Sequence, residues 1–331
     1  MAATQASDFK IYNDMYWGGV TEVLQQNVAG FNANSLNSLI LVPRAIKGDF
    51  EKESFIQQMT ALVGRRDTTS LAAQTDTALT QDELVGIKLN RKIKPVASTL
   101  DAWRKIVGTN SMEDFSYSLG QSMGSNIAAD YINVALSAVA NALGNEAGLA
   151  LDITAEATKT PTHDALIRTM ALLGDQAQRL QIWVMHSSAY FKLMQQSVAD
   201  KIFEVAGATI YQGTIQTFNR PVLVIDSPSL VVADAGGAGI DGYYTLGLTQ
   251  NALEVAQSEE QYITSAEVTG QEQLIYRVQG EYAFNLKMKG FAWDLTNGGV
   301  NPTDAAVATA TNWDRVAADI KSCAGTALLT L

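Results

Sequence analysis

Three glycines with the spacing of a dinucleotide-binding loop occur in the segment GGAGIDG at residues 236–242. Gly237, Gly239 and Gly242 match the pattern G-x-G-x-x-G, in which backbone amides at the start of a helix hold a pyrophosphate. The segment follows VLVIDSPSLVVAD, whose Val, Leu and Ile content is typical of a buried strand. Gly242, however, leads into Tyr-Tyr-Thr-Leu, which favours a strand rather than a helix. We therefore interpret the segment as a flexible surface loop and not as a nucleotide site.

Few residues are available for nucleophilic or metal chemistry. The chain has two histidines, His163 and His186, and one cysteine, Cys323. Ser187 and Ser188 follow His186 directly, but neighbouring residues on a regular element do not face each other as base and nucleophile. We expect one of these serines to cap the following helix and Cys323 to be a small buried apolar residue. No C-x-x-C, H-x-x-x-H or clustered carboxylate loop occurs, so the sequence predicts no metal site, no cofactor and no enzyme.

Four basic side chains in one short stretch are the remaining candidates for a binding function: Lys88, Arg91, Lys92 and Lys94. In this stretch Ile87 and Leu89 alternate with polar residues and Pro95 follows, which predicts an extended hairpin or arm rather than a core strand. Such an arm has little apolar surface of its own. No aromatic residues are interleaved with the cations, so acidic protein surface is at least as suitable a partner as phosphate. We predict that the four side chains contact a neighbouring subunit.

The composition indicates a globular protein with an uneven distribution of charge. With 331 residues, of which 47% are hydrophobic and 17% charged, the chain can bury a large core. The formal net charge of -11 excludes a general nucleic-acid binder, because such binding depends on Lys and Arg. The net charge is +1 for residues 1–110 and -12 for residues 111–331, which indicates that different parts of the surface face different partners.

The elements that must position these residues can be read from the hydrophobic pattern. Residues 113–144 have apolar residues at three- or four-residue spacing and predict a helix of about 30 residues, about 45 Å long. Polar residues interrupt the apolar region 131–151, which predicts a packed helix and no membrane span. From about residue 152 the pattern is of α/β type: a helix capped by Thr162 or Asp164, a strand, a second helix, and short strands at 210–217 and 222–225. Further strands follow the glycine loop. At the N-terminus we see no secretory signal.

The C-terminal segment resembles the end of the major capsid proteins of tailed bacteriophages. The matching motifs are G-F-x-W, G-V-N-P-T and N-W, at Gly290, Phe291, Trp293, Gly299, Val300, Asn301, Pro302, Thr303, Asn312 and Trp313. WVMHSSAYFKLM at residues 183–194 and the segment 64–96 are also similar to parts of these proteins. Apart from the resemblance, Trp293 and Trp313 have two interpretations: they are core aromatics, or they join the basic group as inter-subunit contacts.

The resemblance implies an α+β fold of the Hong Kong 97-like type, with a long spine helix, an axial α/β domain, a peripheral domain and an extended loop. It divides the chain into an N-terminal arm and helix region (1–67), the extended loop (68–98), the peripheral domain with the spine helix (99–151), the axial domain (152–250), and peripheral strands with the C-terminal segment (251–331).

A major capsid protein would assemble, in the host bacterial cytoplasm, into the icosahedral shell of a virion that encloses a double-stranded DNA genome without sequence-specific binding. The partners implied are copies of the chain itself, as hexamers and pentamers, together with portal and scaffolding proteins. Whether a separate cement protein binds to the outside of the shell is left open. An acidic face towards the lumen would not trap DNA, since it offers few cations to replace counterions. Two alternatives remain: an encapsulin-like nanocompartment shell, and a soluble α/β enzyme that uses the Ser187 region or the glycine loop.

Overall fold

The computed structural model describes residues 20–22, 32, 35–44, 48–57, 59, 62–66, 68–69, 72–73, 75–99, 102, 105, 112–204, 220–270 and 272–331. The strands are β1 (Leu39–Pro43), β2 (Phe50–Ile56), β3 (Gln81–Thr99), β4 (Ala150–Asp152), β5 (Leu180–Met185), β6 (Val222–Val224), β7 (Val231–Val232), β8 (Gly242–Thr249), β9 (Leu253–Val268), β10 (Ile275–Met288), β11 (Phe291–Trp293), β12 (Trp313–Arg315) and β13 (Gly325–Thr330). The α-helices are α1 (Met112–Asn145), α2 (His163–Ala171), α3 (Ser187–Glu204) and α4 (Asp304–Val307), and short 3-10 helices cover Gly174–Arg179, Pro228–Leu230, Ala310–Asn312 and Ile320–Ser322.

The first sheet is built around the long strand β10. Its order is β1-β9-β10-β11-β12; in addition β3 pairs with β10 on the edge opposite β9, and β2 lies beside β3. β9 and β3 both pair antiparallel with β10 over most of its length, and β1 adds to β9 in parallel. The result is a long three-stranded ribbon of β3, β10 and β9.

The expectation of an arm without a core strand is wrong for β3. From Ile87 onward this strand pairs with β10, and Val85, Ile87 and Leu89 are buried in the core. Only the part before Ile87 pairs with β2 alone. The alternation of apolar and polar residues was present, but it reflects a strand in the main sheet with one buried face.

The second sheet has the order β4-β13-β8-β5-β6, with β7 beside β8. The C-terminal strand β13 pairs antiparallel with β8 from Gly325 to Thr330. The sequence-based division places 251–331 with the peripheral strands, whereas the pairing partner of β13 lies in the block 152–250. The division itself stays a prediction. The predicted strand at 222–225 is present as β6, whereas the predicted strand at 210–217 lies outside the described residues.

The long predicted helix is confirmed as α1, which contacts elements of both sheets. Towards the first sheet, the Tyr131 ring packs edge-on against Tyr282 and Phe284 of β10, with ring centroids 5.7 and 4.9 Å apart. Burial raises the pKa of Tyr131 to about 12. Towards the second sheet, Gly144 approaches Tyr244 so closely that a Cβ on Gly144 would lie 2.6 Å from the tyrosine Oη. The helix is therefore the spine that joins the two sheets.

α1 also contains the one stretch, Leu119–Asn145, that is long and apolar enough among the described residues to cross a membrane by length and composition. Within it, 61% of the most apolar window is buried inside the protein. Burial of this kind is typical of the core helix of a globular fold.

The helices that flank the second sheet begin at polar caps. Thr162 caps α2, as predicted, and its Oγ1 accepts from the Ala165 amide at 3.0 Å. The cap predicted for α3 is wrong, because that helix begins at Ser187 itself. The Ser188 amide donates to His186 Nδ1 at 3.2 Å, and the Ser187 amide donates to Asp226 Oδ1 at 3.2 Å. His186 and Asp226 therefore satisfy the free amides at this end.

Candidate intersubunit surface

The four basic residues of β3 fall into two environments. Lys88 is buried at 7% exposure, and its Nζ forms an ion pair with Glu259 of β9. The charge of Lys88 is therefore already balanced within the chain. Its backbone amide also donates to Asp49 O at 3.1 Å, directly before the start of β2.

Arg91 is the centre of a charged cluster that joins four elements. Its Nε lies 3.2 Å from Asp130 Oδ2 on α1, and its Nη1 lies 2.5 Å from Asp304 Oδ1 on α4. The guanidinium stacks over Phe284 of β10 at 5.7 Å from the ring centroid. Tyr282 Oη donates to the Asp130 carboxylate at 2.7 Å, and burial together with this carboxylate raises the pKa of Tyr282. Arg91 therefore anchors β3 to the spine helix and is not a free surface cation.

Lys92 and Lys94 differ from the other two. Both side chains are exposed, and no ion pair to either is present among the described residues. An inter-subunit contact by any of the six candidate residues remains a prediction. Among the six, Lys92 and Lys94 are the two whose charge is available at the surface.

Trp293 and Trp313 are core residues of the first sheet, with 2% and 5% exposure. They face each other across β11 and β12, and each indole N–H donates to a backbone carbonyl: Trp293 to Gly299 O and Trp313 to Val307 O, both at 3.0 Å. Within the subunit both tryptophans are therefore core aromatics, because their side chains are buried and hydrogen-bonded within their own chain.

Apolar exposure on the stretch between β2 and β3 was not anticipated from the sequence. Ile56 at the end of β2 is 66% exposed, and Leu62, Val63 and Leu79 after it are 59%, 93% and 67% exposed. The signal available in the sequence was the lack of any helical or strand periodicity in these apolar residues. Exposed apolar residues that cluster along one segment mark a contact surface.

The segment GGAGIDG forms a hydrogen-bonded turn that leads into a strand. Gly242 begins β8, and the Gly239 amide donates to Asp234 Oδ1 at 2.7 Å. Gly237 and Gly239 have φ of +75° and +79°, which accounts for glycine at these positions. The preceding run is not one buried strand but β6 and β7 separated by the 3-10 turn Pro228–Leu230. A pyrophosphate site needs a helix that begins directly after the loop, and here the strand β8 follows instead.

A further polar groove also has charged side chains that pair within the chain. It has a volume of about 450 Å³ and includes His163, Arg168 and Glu156 in its lining. Arg168 forms two hydrogen bonds with the Glu156 carboxylate, at 2.8 and 2.7 Å, and this contact lowers the pKa of Glu156. In the described part of the chain, no group of three His, Cys, Asp or Glu residues could hold a metal ion.

Comparisons with known proteins identify the family. The sequence matches the family described as Major capsid protein 13-like over residues 8–327. No curated protein matches the sequence. The structure is similar to the capsid of Ralstonia phage GP4, with a TM-score of 0.53, 12% identity, and coverage of 88% of this chain and 87% of that chain.

Two further capsids have similar folds. The capsid of Myoviridae phage XM1 gives a TM-score of 0.50 at 9% identity, covering 89% of this chain and 90% of that one. The capsid of Helicobacter pylori bacteriophage KHP30 gives 0.50 at 10% identity, covering 88% of each chain. These likenesses confirm the α+β capsid fold, and the family match adds the function. The chain belongs to the major capsid protein 13-like family and is a structural shell protein of the virion capsid.

Proposed function

We propose that this chain assembles with copies of itself into a closed icosahedral shell, built from hexamers and pentamers, around the double-stranded DNA genome of a tailed phage. The observation that carries the proposal is the family match over residues 8–327, which includes the spine helix, the first sheet and all of the second sheet except the end of β13. Assembly takes place in the host cytoplasm, and separate portal and scaffolding proteins complete the particle.

The two proposed domains correspond to the two sheets. The peripheral domain consists of α1 with the first sheet, and the axial domain consists of the second sheet with α2 and α3, to which we now add β13. The segment between β2 and β3, with its exposed apolar residues and the exposed Arg65 and Arg66, forms the tip of the extended loop. Apolar and cationic side chains suit a contact with the acidic surface of a neighbouring subunit.

The acidic excess of residues 111–331 is proposed to face the lumen. DNA binding depends on cations that replace counterions, so an acidic inner face lets DNA move during packaging. A strongly basic inner face in the assembled shell would contradict this part of the proposal.

Electron microscopy of the protein expressed alone, with size-exclusion chromatography and light scattering, tests the assembly. Closed shells or rings of five and six subunits are expected. A discrete monomer or dimer that stays so when a scaffolding protein from the same phage is added would contradict the proposal. Nuclease-protected DNA in particles from infected cells is expected for a virus shell, and its absence would favour a protein compartment.

A further inference from the structure

Among the described residues, the outer edge of β3 has no strand partner over more than half of its length. β3 pairs with β10 on one side along residues 87–99 and with β2 on the other side along residues 81–87. Beyond Ile87, no strand pairs with this outer edge among the residues that the structure describes. An open edge presents free amides and carbonyls, and it is a template for pairing with another chain.

The first part of this edge is closed by groups that are not strands. The Lys88 amide donates to Asp49 O at 3.1 Å, and the Asn90 amide donates to Asn301 Oδ1 at 3.0 Å. Asn301 has φ of +52° and precedes Pro302, and this is a backbone conformation that few residues adopt before proline. The Asn301 side chain therefore takes, at Asn90, the place that a neighbouring strand would have.

From Lys92 onward the edge carries three features that oppose strand pairing. Alternate amides of an antiparallel strand face the same side, so the Lys92 amide follows those of Lys88 and Asn90 towards the open edge. Lys92 and Lys94 have exposed side chains, and Pro95 has no amide hydrogen to donate. The pairing with β10 is also irregular here, with a register shift between Val278 and Gly280, which bends the strand.

We propose that Lys92, Lys94, Pro95 and the bulge protect the open edge of β3 against strand pairing with a second copy of the chain. Sheet extension from copy to copy is a contact that does not close, and it leads to fibres rather than shells. A protein that must accumulate as free subunits before it assembles needs such protection. This role concerns unassembled subunits and is separate from the proposed contacts within the shell.

The test removes the protecting features and leaves the strand itself. The triple substitution Lys92→Thr, Lys94→Thr and Pro95→Thr converts residues 92–99 from KIKPVAST to TITTVAST, a run with high β-propensity and no charge. The matched control, Arg277→Thr with Lys159→Thr, removes the same number of positive charges. Arg277 is exposed but lies on the central strand β10, paired with Ala97 and Ala266, and Lys159 lies in a loop.

Unassembled subunits are incubated, and their aggregation is followed by thioflavin T fluorescence, electron microscopy and light scattering. The triple variant is expected to form thioflavin-positive fibrils at least about ten times faster than the wild type, and the control is expected to match the wild type. Adding Ala97→Lys, which places a cation elsewhere on the same edge, should restore solubility.

Three results would overturn the proposal: a triple variant as soluble as the wild type, a control that forms fibrils equally fast, or fibrils that Ala97→Lys does not prevent. If the triple variant fails to fold by circular dichroism, Pro95→Thr alone, which keeps both cations, decides the question. It is expected to raise the fibril rate measurably, and an unchanged rate with a folded subunit contradicts edge protection.

Discussion

Trp293 and Trp313 lie directly opposite each other on β11 and β12, with ring centroids 5.0 Å apart and ring planes at 73°. Gly298 packs against the Trp293 ring, since a Cβ on this glycine would lie 2.2 Å from Trp293 Cζ2. The pair therefore holds the turn after β11 against the sheet, and it links the start of the G-V-N-P-T segment at Gly299 to α4 at Val307.

Replacing either tryptophan by alanine should lower the free energy of unfolding by about 3–5 kcal/mol, because a fully buried aromatic side chain is lost. Urea denaturation of the isolated subunit measures this, and Trp→Phe at each position is the conservative control. A double-mutant cycle should give a coupling of about 0.5–1.5 kcal/mol for the edge-to-face pair. Unchanged subunit stability combined with lost assembly would instead support the inter-subunit interpretation.

Local signals predicted the regular elements well but could not predict which strands pair. The periodicity of residues 113–144 gave α1 to within one residue at each end, since apolar spacing is a property of one segment. The partners of β3 and β13 depend on residues far away in sequence: β3 meets β10, and β13 meets β8. No pattern within either strand identifies its partner, so these two pairings could not be predicted from the sequence.

The same limit applies to the candidate surface. The sequence shows four cations within seven residues, but the carboxylates that balance two of them come from Glu259, Asp130 and Asp304. These lie on three other elements. Only Lys92 and Lys94 are exposed, and this division follows from the tertiary fold rather than from the basic stretch itself.

Gly325 should be intolerant of any side chain. Its φ is +159°, and a Cβ at this position would lie 2.0 Å from Gly247 O on the paired strand β8. Because that atom belongs to the backbone, relief requires the strands to separate, and Gly325→Ala should cost about 3 kcal/mol or more. Gly64, with nothing within 4 Å of its position for a Cβ, is the matched control. Equal thermal stability of the two variants would contradict this packing.

Asp294 should make the turn after β11 sensitive to acid. Its carboxylate accepts from the amides of Thr296 at 2.7 Å and Asn297 at 3.2 Å, and these bonds lower its pKa. A lowered folded-state pKa stabilises the fold above the unfolded value of about 3.9. That stabilisation is lost as the pH falls through the folded-state pKa. Asp294→Asn should therefore be less stable than the wild type at pH 7, and the difference should shrink towards pH 2.

Denaturation curves at a series of pH values test the prediction. Asp76→Asn, at an exposed position, controls for the loss of one negative charge. A difference between Asp294→Asn and the wild type that stays constant from pH 7 to pH 2 would show that the hydrogen-bonded carboxylate is not its source.

Cys323 should report unfolding of the region where β13 begins. It is fully buried, and burial raises the pKa of its thiol to about 11. Because the thiolate is the reactive form, a thiol reagent at pH 8 should label the native subunit at least about a hundred times more slowly than the unfolded chain.

The raised pKa of the Cys323 thiol favours folding below the unfolded value of about 8.5, and this contribution is lost as the pH rises towards 11. The difference in unfolding free energy between the wild type and Cys323→Ala should therefore shrink as the pH rises from about 8.5 towards 11. Fast labelling of Cys323 in the native protein would contradict its burial.

The basic residues of β3 should separate into two phenotypes. Arg91→Ser leaves the carboxylates of Asp130 and Asp304 without their cation, so the isolated subunit should lose about 2 kcal/mol of stability. Lys88→Ser should destabilise it as well, since Lys88 is buried against Glu259. Lys92→Ser with Lys94→Ser should leave circular dichroism and subunit stability unchanged within about 0.5 kcal/mol. This pair should impair shell assembly, because both cations are available to a neighbour.

Yield of closed shells by electron microscopy, measured beside subunit stability, separates these effects. Lys159→Ser removes an exposed loop cation and serves as the control for charge. Light scattering of the unassembled double variant Lys92→Ser with Lys94→Ser separates a lost contact, in which the subunits stay dispersed but form no shells, from aggregation at the less protected edge of β3. Normal shells from this double variant would refute an inter-subunit role for the two lysines, and the function of the stretch would then rest on Arg91 as an anchor to the spine helix.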